Sequence, residues 1–170
     1  MPNEHIGLAG KVIVVLENQH TGQRRVHVAK NIVTNAGDQY YAEMACGETP
    51  TNDFDAAAAG IRLGTGFSSA DKDDTDVDSE DSNGRLDIDT GYPKTNDSDG
   101  DNSGAGTDVV TWRFSYGTSE GNITDIDECA IVDDRTTPTA ALCHAEFTTP
   151  FTKTSADTMK IFVNHTFNGT

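Results

Sequence analysis

The chain has 170 residues, enough for one domain that buries a core without covalent staples. Its formal charge of −16, from 20 Asp and 8 Glu against 6 Lys and 6 Arg, argues against direct contact with nucleic acid, because rows of phosphates need cations. Three cysteines, Cys46, Cys129 and Cys143, contain no C-x-x-C pair, so they suggest neither a disulfide framework nor a zinc knuckle.

Residues 1–10 read as an N-terminal arm without a basic leader, and the apolar run at 12–16 is too short to span a bilayer, so no membrane contact is expected. Residues 11–17 (KVIVVLE) and 23–30 (QRRVHVAK) are β-branched runs joined by Asn18-Gln19-His20-Thr21-Gly22, the composition of a hairpin. Thr34 or Asn35 then offers an N-cap to a helix running to Cys46, with Asp38 in its first turn and Gly47 past its end. Tyr40, Tyr41 and Met44 are its expected core-facing stripe. Ile61-Arg62-Leu63-Gly64-Thr65-Gly66 is a short strand entering a glycine turn. It lacks the Lys-Ser/Thr pair of a phosphate loop and the third glycine of a dinucleotide site.

Residues 67–107 form an acidic loop region, broken by one expected strand at Gly84-Arg85-Leu86-Asp87-Ile88-Asp89. Between 71 and 108 there are 13 acids and 3 bases, a density that reads as solvated chain peripheral to the fold. Asp97, Asp99 and Asp101 occupy positions 1, 3 and 5 of a calcium-type loop and Asp108 position 12. These four are the candidate metal ligands, with calcium the only cofactor suggested and a solvated acidic loop the alternative. The match is partial: Asn102 stands at the glycine position, Asp108 at the place of a bidentate Glu, and a strand follows instead of a helix. Asp74, Asp76, Asp78 and Glu80 make a second alternating run.

Residues 108–170 read as an antiparallel sheet. Val110, Trp112, Phe114 and Tyr116 alternate with Thr111, Arg113 and Ser115; Ala141, Cys143, Ala145 and Phe147 with Leu142, His144 and Glu146; and Met159, Ile161, Val163 and Phe167 with Lys160, Asn164 and Thr166. Cys129 and Cys143 flank a turn-rich stretch where a hairpin would set them opposite each other, leaving a disulfide or two buried thiols as the readings. The five histidines show no ligand-type spacing, and no nucleophile elbow or zincin motif is present, so no enzyme is expected. The expected fold is a single mainly β domain, an antiparallel β-sandwich or partly closed barrel with one short α-helix and long acidic loops.

Four pieces of the chain, in order, carry a resemblance. They are Lys30-Asn31-Ile32-Val33-Thr34-Asn35-Ala36-Gly37, Ile61 to Gly66, Asn122-Ile123-Thr124-Asp125-Ile126-Asp127-Glu128-Cys129-Ala130-Ile131-Val132, and Ala145-Glu146-Phe147 with residues 151–161. Together they resemble a family of small β-rich virion proteins of tailed bacteriophages, with its N-x-V-T-N-x-G helix start, short V-G-T-G-like turn and terminal T-K-x-x-x-x-T strand. The resemblance implies a virion location and a head decoration (cement) protein bridging major capsid subunits, as a homo-oligomer, a trimer at local threefold points. A tail, collar or neck component is the alternative within that class. Outside it stands a calcium-assisted carbohydrate-binding β-sandwich, with Trp112, Tyr116 or Tyr92 as its stacking platform.

Overall fold

Val12 to Leu16, five consecutive buried residues, mark a strand covered on both faces, and this strand is the centre of the molecule. The computed structural model describes residues 8–167. In chain order its elements are β1 (Leu8–Asn18), β2 (Arg24–Val33), α1 (Asn35–Cys46), β3 (Gly60–Gly64), β4 (Glu80–Asp87), β5 (Lys94–Thr95), β6 (Val109–Tyr116), β7 (Ile126–Val132), β8 (Ala141–Phe151) and β9 (Asp157–Phe167). Residues 1–7 of the expected arm lie outside the described residues, and Leu8, Ala9 and Gly10 open β1 instead.

The strands form one nine-stranded antiparallel sheet in the order β4-β3-β7-β8-β2-β1-β9-β6-β5, curled into a half-barrel. This is the mainly β, partly closed architecture expected from the alternation. The first hairpin also forms as expected, in register from Gly10 opposite Asn31 to Glu17 opposite Arg24. The strands of residues 108–170, β6 to β9, all belong to this antiparallel sheet, but they are not one contiguous block in it. β8 and β9 are consecutive in sequence but do not pair, because the β1–β2 hairpin lies between them and satisfies an edge of each.

The inner face carries the main core: Val12, Val14 and Leu16 of β1, Trp112, Phe114 and Tyr116 of β6, Met159, Ile161 and Val163 of β9, and Cys129 and Ile131 of β7. Thr34 caps α1 by accepting the Gly37 amide at 3.0 Å, and Gly47 ends it in the left-handed conformation at φ 70°. The helix presses Gly37 against the Leu142 carbonyl of β8 and sets Tyr40 against Phe54 and Trp112. Met44, expected to face the core, is instead 47% exposed. Cys129 and Cys143 are buried free thiols, offset on the β7–β8 ladder, where Cys129 faces Ala145 and Cys143 faces Ile131.

The acidic region is corrected from peripheral chain to a covering layer. Residues 80–87 are strand β4, paired with β3, and the loops on either side lie over the outer face of the sheet. The loop before β4 packs Val77 against Ala130, Val132 and Ala141. The loop after β5 brings Gly104 against Ile13 and Asn164, beside the buried outer-face cluster of Ile13, Val15 and Phe162. The physical reason is on the strands beneath: Arg62, His144, Arg113, Lys160 and Asn164 point outward, and polar groups covered by protein need partners of opposite charge or a hydrogen bond.

Candidate functional site

The calcium-type loop folds around protein cations. The Asp97 carboxylate accepts hydrogen bonds from Tyr92 Oη at 2.7 Å and Asn102 Nδ2 at 3.1 Å, and pairs with Lys94 at 3.1 Å. Burial alone would raise its pKa, but these donors outweigh it and bring it down to about 2. Asp99 binds Lys160 at 3.0 Å and Arg113 at 3.1 Å, and Asp101 binds Lys160 at 3.1 Å and Arg24. Asp108 is exposed, and its backbone carbonyl accepts the Phe167 amide at 2.9 Å. Among the described residues Asp97, Asp99, Asp101 and Asp108 make no group of three within reach of one ion. Strands β2, β6 and β9 supply the compensating charge from below, through Arg24, Arg113 and Lys160. Asn102 completes the attachment by donating to both Thr111 Oγ1 and Asn164 Oδ1 at 3.2 Å.

The other acidic loop closes over a buried histidine and its carboxylate partners. His144 of β8 has no solvent exposure; its Nε2 lies 2.8 Å from Glu128 Oε2 on β7, and its Nδ1 lies 2.7 Å from Asp74 Oδ2 on the loop. Glu128, equally buried, also accepts the backbone amides of Asp78 and Ser79 at 2.8 Å each. Burial alone would lower the His144 pKa; hydrogen bonds and charge from Glu128 and Asp74 outweigh this and raise it. Beside this pair Arg62 of β3 binds Asp76 at 2.7 Å and also Glu80, and Glu80 pairs further with Arg85.

Gly64 and Gly66, the glycine turn of the sequence, make this arrangement possible. Gly64 faces Glu128 across the ladder, and a Cβ there would overlap the Glu128 carboxylate. A Cβ at Gly66 would come within 2.7 Å of Ser79 Cβ. The turn therefore admits a buried side-chain carboxylate where a phosphate loop would admit a ligand. Asp78, Glu128 and His144 each offer a ligand atom within 4.8 Å of the others, the one such group among the described residues. Sequence reasoning missed it, because its members are separated by 50 and 16 positions and meet only when β7 pairs with β8 beneath the loop. The alternating run from Asp74 to Glu80 was the one available signal.

Of the three aromatic residues offered as a stacking platform, Trp112 and Tyr116 are covered and Tyr92 is half-buried. Trp112 is fully buried and donates its indole N–H to Tyr41 Oη at 3.1 Å, while Tyr116 is 2% exposed. Tyr92 is held between Lys94 and Arg113, each 4.4 Å from its ring centroid.

Between the two acidic loops the outer face of β2 stays bare. Val26, Val28 and Ile32 are 57%, 58% and 37% exposed, with Arg24 and Lys30 on the same face. The lateral edge of β2 is also largely free of β8, since their ladder runs only from Asn31 to Val33. In the resulting cleft, lined by Val26, His27, Val28, Phe147, Thr148 and Thr149, His27 stacks on Phe151 at 4.4 Å. Among the described residues no helix is long and apolar enough to cross a membrane. Comparison with known protein families, curated proteins and solved structures finds no match for this chain.

Proposed function

We propose that this chain is a virion structural protein of a tailed bacteriophage, a decoration protein that stabilises the head by bridging major capsid subunits. The observation that carries this reading is the strip of Val26, Val28 and Ile32 on β2, an apolar surface left open while both acidic loops bury the neighbouring parts of the same face. Lone exposed apolar residues are ordinary, but three in register on one strand, beside a strand edge short of ladder partners, suit a protein neighbour.

The motifs behind the resemblance have scaffold roles in the fold. Thr34 caps the helix and also donates its hydroxyl to the Ala141 carbonyl, and the glycine turn houses Glu128. A likeness resting on such residues supports a shared scaffold, and the virion location, threefold oligomer and capsid contact are the proposal built on it. A partner that binds only the assembled lattice stabilises it by about 2.7 kcal/mol per site at a hundredfold excess over Kd.

The test is co-sedimentation of the purified chain with phage heads that lack it. Binding is expected for the native chain and loss of binding for Val26→Lys with Val28→Lys, at unchanged circular dichroism. Heads lacking the protein are expected to release DNA at lower temperature and to recover on its addition. Heads that keep their DNA but fail to join tails overturn decoration in favour of the tail or neck assignment.

A further inference from the structure

We propose that Asp78, Glu128 and His144 form a binding site for a divalent first-row transition-metal cation, with Asp74 as the positioning residue that orients His144. The site lies apart from the β2 strip and its argument is independent of the virion reading.

The donor set is one imidazole nitrogen and two carboxylates, all within 4.8 Å of one another, which is the mixed nitrogen and oxygen chemistry preferred by zinc and its neighbours. Calcium and magnesium prefer oxygen alone and more ligands than three side chains supply. His144 presents Nε2 to this group while Nδ1 is held by Asp74 at 2.7 Å. That arrangement fixes the ring and its tautomer in the way a carboxylate behind a metal-bound histidine does. Glu128 and His144 are fully buried, whereas Asp78 is exposed, so one side of the site opens to solvent and offers a route of entry.

The surroundings favour a cation there: the carboxylates of Asp74, Asp76 and Glu80 lie about the site, set against the guanidinium groups of Arg62 and Arg85. A divalent ion among Asp78, Glu128 and His144 offsets that excess from within.

The experiment titrates zinc into the purified chain by calorimetry, with magnesium as control. One zinc per chain is expected, undiminished by excess magnesium, together with a zinc-dependent rise in melting temperature. Asp74→Asn is expected to weaken zinc binding by about 10–100-fold. Because His144→Gln disrupts the buried contacts with Glu128 and Asp74 and can unfold the chain, the decisive variant is Asp78→Asn. Its amide oxygen can still accept the Ser68 and Ser69 amides, at 2.7 and 3.0 Å in the native chain, so the loop is retained while a charged ligand is lost. Loss of saturable zinc binding in Asp78→Asn at unchanged circular dichroism supports the site. Absence of saturable binding in the native chain overturns it, as does equal affinity in Asp78→Asn. Anomalous scattering at the zinc edge from crystals of the zinc-soaked protein decides the place of the ion, and an ion anywhere but between Glu128 and His144 overturns the proposal.

Discussion

Tyr116 and Gly84 join the two ends of the sheet: the buried phenol at the end of β6 donates to the Gly84 carbonyl of β4 at 2.8 Å. These strands stand far apart in the sheet order, so the contact exists only because the sheet curls. Asp89 strengthens the same seam, donating its amide to the Arg113 carbonyl at 2.9 Å and accepting the Ser115 amide at 3.0 Å. Tyr116→Phe keeps the packing but leaves a buried carbonyl without its donor, so a loss of about 1–3 kcal/mol is expected in urea unfolding.

Trp112 anchors the inner face, with no exposed surface, Tyr40 beside it and Tyr41 on its indole nitrogen. Trp112→Ala is expected to cost about 3–5 kcal/mol, read from the denaturation midpoint. An unchanged midpoint would show that the inner face closes over the cavity without it.

Gly64→Ala tests the cradle around Glu128. The added methyl overlaps the carboxylate, and Glu128 cannot swing away without abandoning His144 and two backbone amides. Overpacking at such a site is expected to cost about 1–3 kcal/mol in thermal or urea unfolding.

Deleting residues 72–82 removes Asp74, Asp76, Asp78 and Glu80 and the start of β4, leaving Arg62 without its carboxylates and His144 and Glu128 without their loop contacts. A marked fall in melting temperature and loss of sheet signal in far-ultraviolet circular dichroism are expected. A variant as stable as the native chain would restore the view of this region as peripheral.

Acid should destabilise the fold in two stages. Burial pushes the His165 pKa down to about 3, so the folded ring stays neutral while the unfolded one takes a proton near its ordinary 6.5. The unfolded state therefore binds more protons in that window, and stability falls as pH drops from about 6.5 toward 3. Asp97, with its pKa near 2, contributes stability above the ordinary carboxylate range that is lost as pH falls from about 4 to 2. Urea midpoints measured from pH 7 to pH 4.5 should decline for the native chain and decline less for His165→Asn.

The period of two in β6 and β9, the β-branched runs of β1 and β2, and the Thr34 cap with Gly47 at the other end were legible because each rests on neighbours in sequence. Such local rules determined the mainly β class, the single described helix and most strand positions. The insertion of the β1–β2 hairpin between β8 and β9 was not legible, since pairing between strands of distant sequence position is selected by burial of whole faces. The acidic loops show the same division. Their charge was plain from composition, but whether it would face water or cations depended on Arg62, His144, Arg113 and Lys160, which become neighbours of the loops only when these fold over the outer face of the sheet. Asp97, Asp99, Asp101 and Asp108 matched a metal loop by spacing along the chain, whereas Asp78, Glu128 and His144 share no spacing at all. Sequence determined which residues could alternate, cap and turn; tertiary structure decided which charges met, because electrostatic partners are chosen by distance in space and by the exclusion of water between them.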